Sequence, residues 1–184
     1  MNNLHKQYKE TVAPKLKEEL GYKNIMEVPS ISKVVLNVGV GKHLKDKEYL
    51  KNVQNTLDVV TGQKSVTTKA RKSISNFKIR DGMVVGVKVT LRGKKMWDFI
   101  EKLVKVTLPR VRDFRGISAT AFDREGNYTL GMTEHTAFPE IRQDDVENVH
   151  GLEIIVKVDA NKQEDSKKLL TYLGFPFKKE ITKK

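Results

Sequence analysis

The sequence predicts an α+β fold: a largely antiparallel sheet with helices packed on one face and an exposed polar and basic face on the other. Three observations carry that reading. Residues 33–39 and 86–92 alternate with the period of two that marks half-buried strands. Other segments repeat apolar residues every three or four positions, as helices packed along one stripe do. The elements follow one another without a regular βαβ rhythm, which favours antiparallel pairing.

From Leu4, the residues Tyr8, Val12, Leu16 and Leu20 recur at every fourth position and Gly21 follows, which predicts an amphipathic helix. Pro14 lies in its middle, so the helix is expected to kink or restart there. In the next strand Val34, Leu36, Val38 and Val40 share one face, and Lys33, Val35, Asn37 and Gly39 the other. Leu50, Val53, Leu57 and Val60 predict a second helix over 46–60, stopped by Gly62. A short strand near 64–68 precedes a basic segment. Then Val85, Val87, Val89 and Leu91 point one way, and Gly86, Lys88, Thr90 and Arg92 the other. Met96, Phe99, Ile100, Leu103 and Val104 form the stripe of a third helix, expected to stop before Pro109. Residues 110–126 read as a loop and 128–132 as a short strand. Leu152, Ile154, Val156 and Val158 mark a last strand, and a helix over 163–172 precedes Gly174.

The 184 residues contain no internal repeat or low-complexity linker, so one domain over 1–184 is expected. The absence of cysteine excludes disulfides and thiolate metal sites and fits a reducing, cytoplasmic compartment. The amino terminus lacks the apolar stretch of an export signal, and the apolar runs fall short of the roughly 20 residues of a membrane helix. No membrane partner is expected.

Charge is the most local signal. The chain carries a net +12, and ten of the 32 residues from Lys64 to Lys95 are Lys or Arg against one acid, Asp81. Such clustering marks a contact surface for nucleic acid. Within it, a basic loop at about 68–82 sets Lys69, Arg71, Lys72, Lys78 and Arg80 around Ile74, Phe77 and Ile79. Phe77 either stacks on a base or covers the core.

Catalytic chemistry finds little support. Gly39-Val40-Gly41-Lys42 resembles a phosphate loop only in part, because Leu36 replaces the first glycine and His43 the magnesium-binding hydroxyl. Glu134, Glu140, Asp144, Asp145 and Glu147, near His135, are the one stretch that suggests a metal or acid–base site, yet they lack ligand spacing. His5, His43, His135 and His150 show no paired spacing for zinc. No catalytic residue, metal or cofactor is expected. An RNA-processing nuclease and a general nucleic-acid chaperone stand as alternatives to a dedicated RNA-binding protein.

The blocks LNVGVG at 36–41, TGQK at 61–64, TKARKSI at 68–74, FKIR at 77–80, KVTLRG at 88–93, MWDF at 96–99, PRVRDFRG at 109–116, GNYTLG at 126–131, FPEI at 138–141 and FPF at 175–177 resemble those of one family. It is the bacterial form of large-subunit ribosomal protein five, which binds 5S ribosomal RNA. The resemblance covers nearly the whole chain. It implies an α+β protein docked in the central protuberance beside neighbouring ribosomal proteins, with its polar sheet face on 5S RNA. By position in the matching motifs, Asn37, Gln63 and Thr90 are the implied hydrogen-bonding centre of that contact, flanked by Lys33, Lys88 and Arg92. The loop bearing Lys69, Arg71, Lys72, Phe77, Lys78 and Arg80 is the part implied to reach P-site tRNA and adjoining 23S RNA.

Overall fold

A computed structural model describes residues 3–43, 46–141, 148–160 and 162–178. The elements run α1 (Asn3–Gln7), α2 (Ala13–Leu20), β1 (Ser30–Gly39), α3 (Lys47–Thr61), β2 (Val66–Lys69), β3 (Val84–Leu91), α4 (Gly93–Lys102), α5 (Leu108–Arg110), β4 (Tyr128–Met132), β5 (Leu152–Asp159) and α6 (Gln163–Tyr172). The fold is α+β, as the alternation predicts.

Prolines shape two of the helical stretches. A π turn at Tyr8–Val12 joins α1 to α2, and another at Leu103–Thr107 joins α4 to α5. Each closes with a bond five residues back, from Ala13 N–H to Tyr8 O and from Leu108 N–H to Leu103 O. Pro14 and Pro109 follow directly. The widened turn relieves the clash between a proline ring and the carbonyl four residues before it. The helix expected to end before Pro109 therefore runs on to Arg110, and the one around Pro14 runs on to Gly21, whose φ of 70° terminates it.

At α3 the Asp46 carboxylate accepts hydrogen bonds from the N–H groups of Glu48 and Tyr49, both at 3.0 Å, and so caps the first turn. Gly62, at φ 61°, ends the helix.

The five strands lie in the order β2-β3-β1-β5-β4. The sheet is antiparallel. Val66 faces Lys88 and Thr68 faces Gly86 across β2 and β3. Val40, just past the end of β1, bonds Val85 at the start of β3. The Asn37 side chain, near the end of β1, meets Glu153 at the start of β5. Asn127, just before β4, accepts from Val158 N–H near the end of β5.

Two compact units make up the chain. One comprises Met1–Val34, Arg92–Leu130 and Ile155–Lys184, and the other Val35–Leu91 and Gly131–Ile154. In the first, α1 packs on α4 and α2 on α6. Leu16, Ile100, Leu103, Tyr128, Leu169 and Leu170 are fully buried there. In the second, α3 packs on β3. Val53 and Leu57 from the helix are buried with Leu36, Val38, Val87, Val89 and Leu91 from the strands. Each such side chain contributes about 1.5–3 kcal/mol.

The second unit also buries His135 and His150, whose rings stack with centroids 4.0 Å apart and planes 8° from parallel. The His150 backbone N–H can only donate, so His135 Nδ1, 3.2 Å away, is the acceptor. His150 Nδ1 lies 3.3 Å from the Gly151 carbonyl and carries a proton, and its buried Nε2 has no hydrogen-bond partner among the described residues. Burial, and then the neighbouring His135, bring His150 down from 6.5 to about 4. Burial also lowers His135. Because the folded-state values are depressed, the neutral pair stabilises the fold fully above about pH 6.5 and loses that contribution as pH falls toward 4. We expect His150→Phe to flatten urea-derived stability across that window, removing up to about 3 kcal/mol of pH dependence. A variant as acid-sensitive as the parent would contradict this.

Candidate nucleic-acid interface

In β1 the side chains of Val34, Leu36 and Val38 are buried, which leaves Lys33, Val35 and Asn37 on the opposite side. In β3 the alternate positions Val87, Val89 and Leu91 are buried, and Lys88 and Thr90 stand on the other side. Antiparallel register puts directly opposed residues on one face. Val66 of β2 therefore joins Lys88, and Thr68 joins Gly86. In the second unit the open face thus presents Val66, Thr68, Lys88, Thr90, Val35 and Asn37. Glu153 of β5 adds an acid to its far side, 3.4 Å from Asn37 Nδ2.

The predicted residues hold distinct places. Lys88 is exposed and Thr90 half-buried. The Gln63 side-chain amide donates to the Thr90 backbone oxygen at 2.9 Å, which fastens the end of β3 and leaves the Gln63 carbonyl as an acceptor. Asn37 spends its amide N–H on Glu153 and keeps its carbonyl oxygen. Lys33 and Arg92 fall in the first unit. Lys33 is half-buried on the same side of β1 as Asn37, and the exposed Arg92 precedes the first turn of α4.

Sequence reading alone did not single out Gly86. A Cβ there would lie 2.8 Å from Thr68 Oγ1 and 2.9 Å from Val38 O, so the open face is dented where β2, β3 and β1 meet. Thr68 itself belongs to this face. The pairing register, which no local pattern encodes, reveals both.

The basic loop is more structured than its length suggests. Thr68 and Lys69 belong to β2. Beyond them Ala70 N–H bonds Met83 O, and Ile74 and Ile79 exchange two backbone bonds of 2.8 and 3.1 Å. A 3-10 turn, Ser75–Phe77, closes the tip, with Lys78 left-handed at φ 54°. Ser73 Oγ accepts from Asp81 N–H at 2.9 Å. The segment is a second, short hairpin continuing the first. Lys69, Arg71, Lys72, Lys78 and Arg80 are all exposed on it. Phe77 is 68% exposed and Ile74 45%, so Phe77 covers no core.

Glu134 and Glu140 are exposed. Asp144, Asp145 and Glu147 lie outside the described residues. Among the described residues no three His, Cys, Asp or Glu side chains converge as metal ligands, and no helix is long and apolar enough to cross a membrane. The stacked pair His135 and His150, remote in sequence, turns parallel ring planes to each other instead of converging on an ion.

An antiparallel sheet with polar groups and a lysine on the open face of the second unit, beside an exposed basic arm, offers the cations and hydrogen-bonding groups that the class of nucleic-acid-binding proteins uses. The model of the family described as "Ribosomal protein L5" matches residues 24–80, and the model of that ribosomal family's C-terminus matches residues 84–177. The chain is 54% identical to large ribosomal subunit protein uL5 of Natranaerobius thermophilus, over 96% of this chain and 99% of the relative. It is 52% identical to uL5 of Desulfatibacillum aliphaticivorans over 97% and 100%, and 50% identical to uL5 of Clostridium perfringens over 96% and 99%. The chain belongs to the uL5 family of ribosomal proteins. It is a structural constituent of the large ribosomal subunit, a cytoplasmic ribonucleoprotein in bacteria, and not an enzyme.

The dent at Gly86 yields a prediction. Gly86→Ala should destabilise the protein by about 1–3 kcal/mol, because the added methyl overpacks against backbone. Adding Thr68→Ala removes one of the two obstructing atoms and leaves Val38 O, so urea melts should show partial recovery only. Full recovery would show that the carbonyl does not matter.

Proposed function

We propose that the open face of β1, β2 and β3 binds 5S ribosomal RNA and helps attach it to 23S RNA in the central protuberance, among neighbouring ribosomal proteins. The single observation that supports this most is the composition of that face. Lys88 and the Thr90 hydroxyl stand on a strand whose opposite face buries Val87, Val89 and Leu91, and Gln63 fastens that strand's end. Rigid donors and acceptors beside a cation suit phosphate and 2′-OH groups. The roles are Asn37, Gln63 and Thr90 for hydrogen bonds and Lys33, Lys88 and Arg92 for phosphates. Family membership gives the setting, and the net +12 the electrostatic drive.

The hairpin arm carries the second half of the proposal, contact with P-site tRNA and adjoining 23S RNA. Its cations point into solvent and Phe77 offers a bare ring at the tip, which fits stacking on an unpaired base or sugar. Lys69, Arg71, Lys72, Lys78 and Arg80 supply charge along its length.

Thr90→Val keeps the shape and removes the hydroxyl. It should weaken 5S RNA binding in filter assays by about 0.5–1.5 kcal/mol with an unchanged thermal melt. Unaltered affinity would count against the sheet-face site. Neutralising Arg71, Lys72 and Arg80 to Gln should leave isolated 5S binding within about twofold while slowing tRNA-dependent translation by reconstituted ribosomes. Loss of 5S affinity comparable to that of sheet-face variants would refute the separation of roles.

A further inference from the structure

The stretch from α5 to Ile117 is a strongly basic surface that the sheet face and the hairpin arm leave unexplained. From Pro109 to Gly116 it holds Arg110, Arg112 and Arg115 against one acid, Asp113. All three arginines are exposed, and among the described residues none has an ion-pair partner. The contrast with Lys105, in the π turn just before α5, is plain. Its Nζ sits 2.6 Å from Glu101 and is neutralised by that neighbour one turn back.

The segment is also held in shape. On one side Leu108 is buried, and its carbonyl accepts from Val111 N–H at 3.2 Å. On the other, Ile117 is buried, bonds Pro176 O through its N–H, and accepts from Lys178 N–H, both at 2.9 Å. Gly116 makes that docking possible. At φ 94° it sits where a Cβ would lie 2.9 Å from Pro176 O and 3.1 Å from Lys178 N. Asp113, left-handed at φ 51°, turns the chain between the arginines. The exposed Lys178 is joined to the same anchor and adds a fourth cation. Phe114, half-buried, lies between Arg112 and Arg115 in sequence.

We infer that Arg110, Arg112 and Arg115, with Lys178, form a separate RNA-backbone site that grips phosphates of a ribosomal RNA segment distinct from the one on the sheet face. Guanidinium groups pair bidentately with phosphate, and a braced loop loses less entropy on binding than a free one. The partner's chemistry follows from exposed arginines that no described acid pairs, on a protein of a ribosomal family. This inference rests on family membership and is independent of the 5S reading of the sheet.

The chain has no cysteine, so a single introduced one gives a unique tether. Arg112→Cys carrying an iron–EDTA chelate, assembled into large subunits, should cut ribosomal RNA at a cluster of nucleotides absent from the pattern of a Lys88→Cys tether. The triple variant Arg110→Gln, Arg112→Gln, Arg115→Gln should keep its thermal melt and bind free 5S RNA within about twofold of the parent. In competitive reconstitution with the parent it should enter large subunits at least threefold less well. No RNA cleavage from position 112 in assembled subunits, or cleavage only where the Lys88→Cys tether cuts, would overturn the site, as would uptake of the triple variant equal to the parent's. Loss of free 5S binding by the triple variant would overturn its separateness. Failure of the 5S proposal would appear instead in Thr90→Val, which leaves this segment untouched.

Discussion

The alternation of apolar and polar residues along β1 and β3 is the constraint on which the second unit rests. A strand puts consecutive side chains on opposite faces, so burying Leu36, Val38, Val87, Val89 and Leu91 beneath α3 obliges Asn37, Lys88 and Thr90 to stand outside. Slipping either strand by one residue would expose the core set and bury a lysine. Core packing and the candidate RNA face are thus two sides of one register, and the hydrophobic energy that stabilises the first also holds the second rigid.

Rigidity recurs wherever charge is presented. Gln63 fastens the end of β3, Asp46 caps α3, and the Ile74–Ile79 bridge stiffens the basic arm. In the first unit, backbone bonds from Ile117 and to it brace the arginine segment against 176–178. Each device shortens the reach of cations that would otherwise wander, and so lowers the entropy lost when they meet a polyanion. With these braces the cations of the arm, of β3 and of the arginine segment are presented on built surfaces.

Most element positions were legible because they follow from local periodicity and local stop signals. The strand at Tyr128–Met132 and the helix at Gln163–Tyr172 lie where alternation and spacing put them. The helix ending failed at Pro109 because a proline reads locally as a breaker, whereas a π turn five residues long absorbs it. The arm read as an open loop because Ile74 and Ile79 are isolated strand formers among polar and charged residues, and their bridge is set by chain reversal rather than by a local run of alternation. Phe77 was ambiguous for the same kind of reason. Its hydrophobicity argues for burial, and only the hairpin's direction puts it in solvent.

By itself the sequence determined which residues could be buried and which could not, where the cations cluster, and, through its motif blocks, the family. These depend on side-chain chemistry and on periods of two and 3.6 residues, which are written along the chain. Tertiary structure decided which polar residues become neighbours. The Thr68–Gly86 dent, the Asn37–Glu153 contact, the Gln63–Thr90 clamp and the His135–His150 stack join residues 15 to 116 positions apart. Such meetings depend on strand order, register and helix packing, which are properties of the whole chain's lowest free energy and of no segment within it.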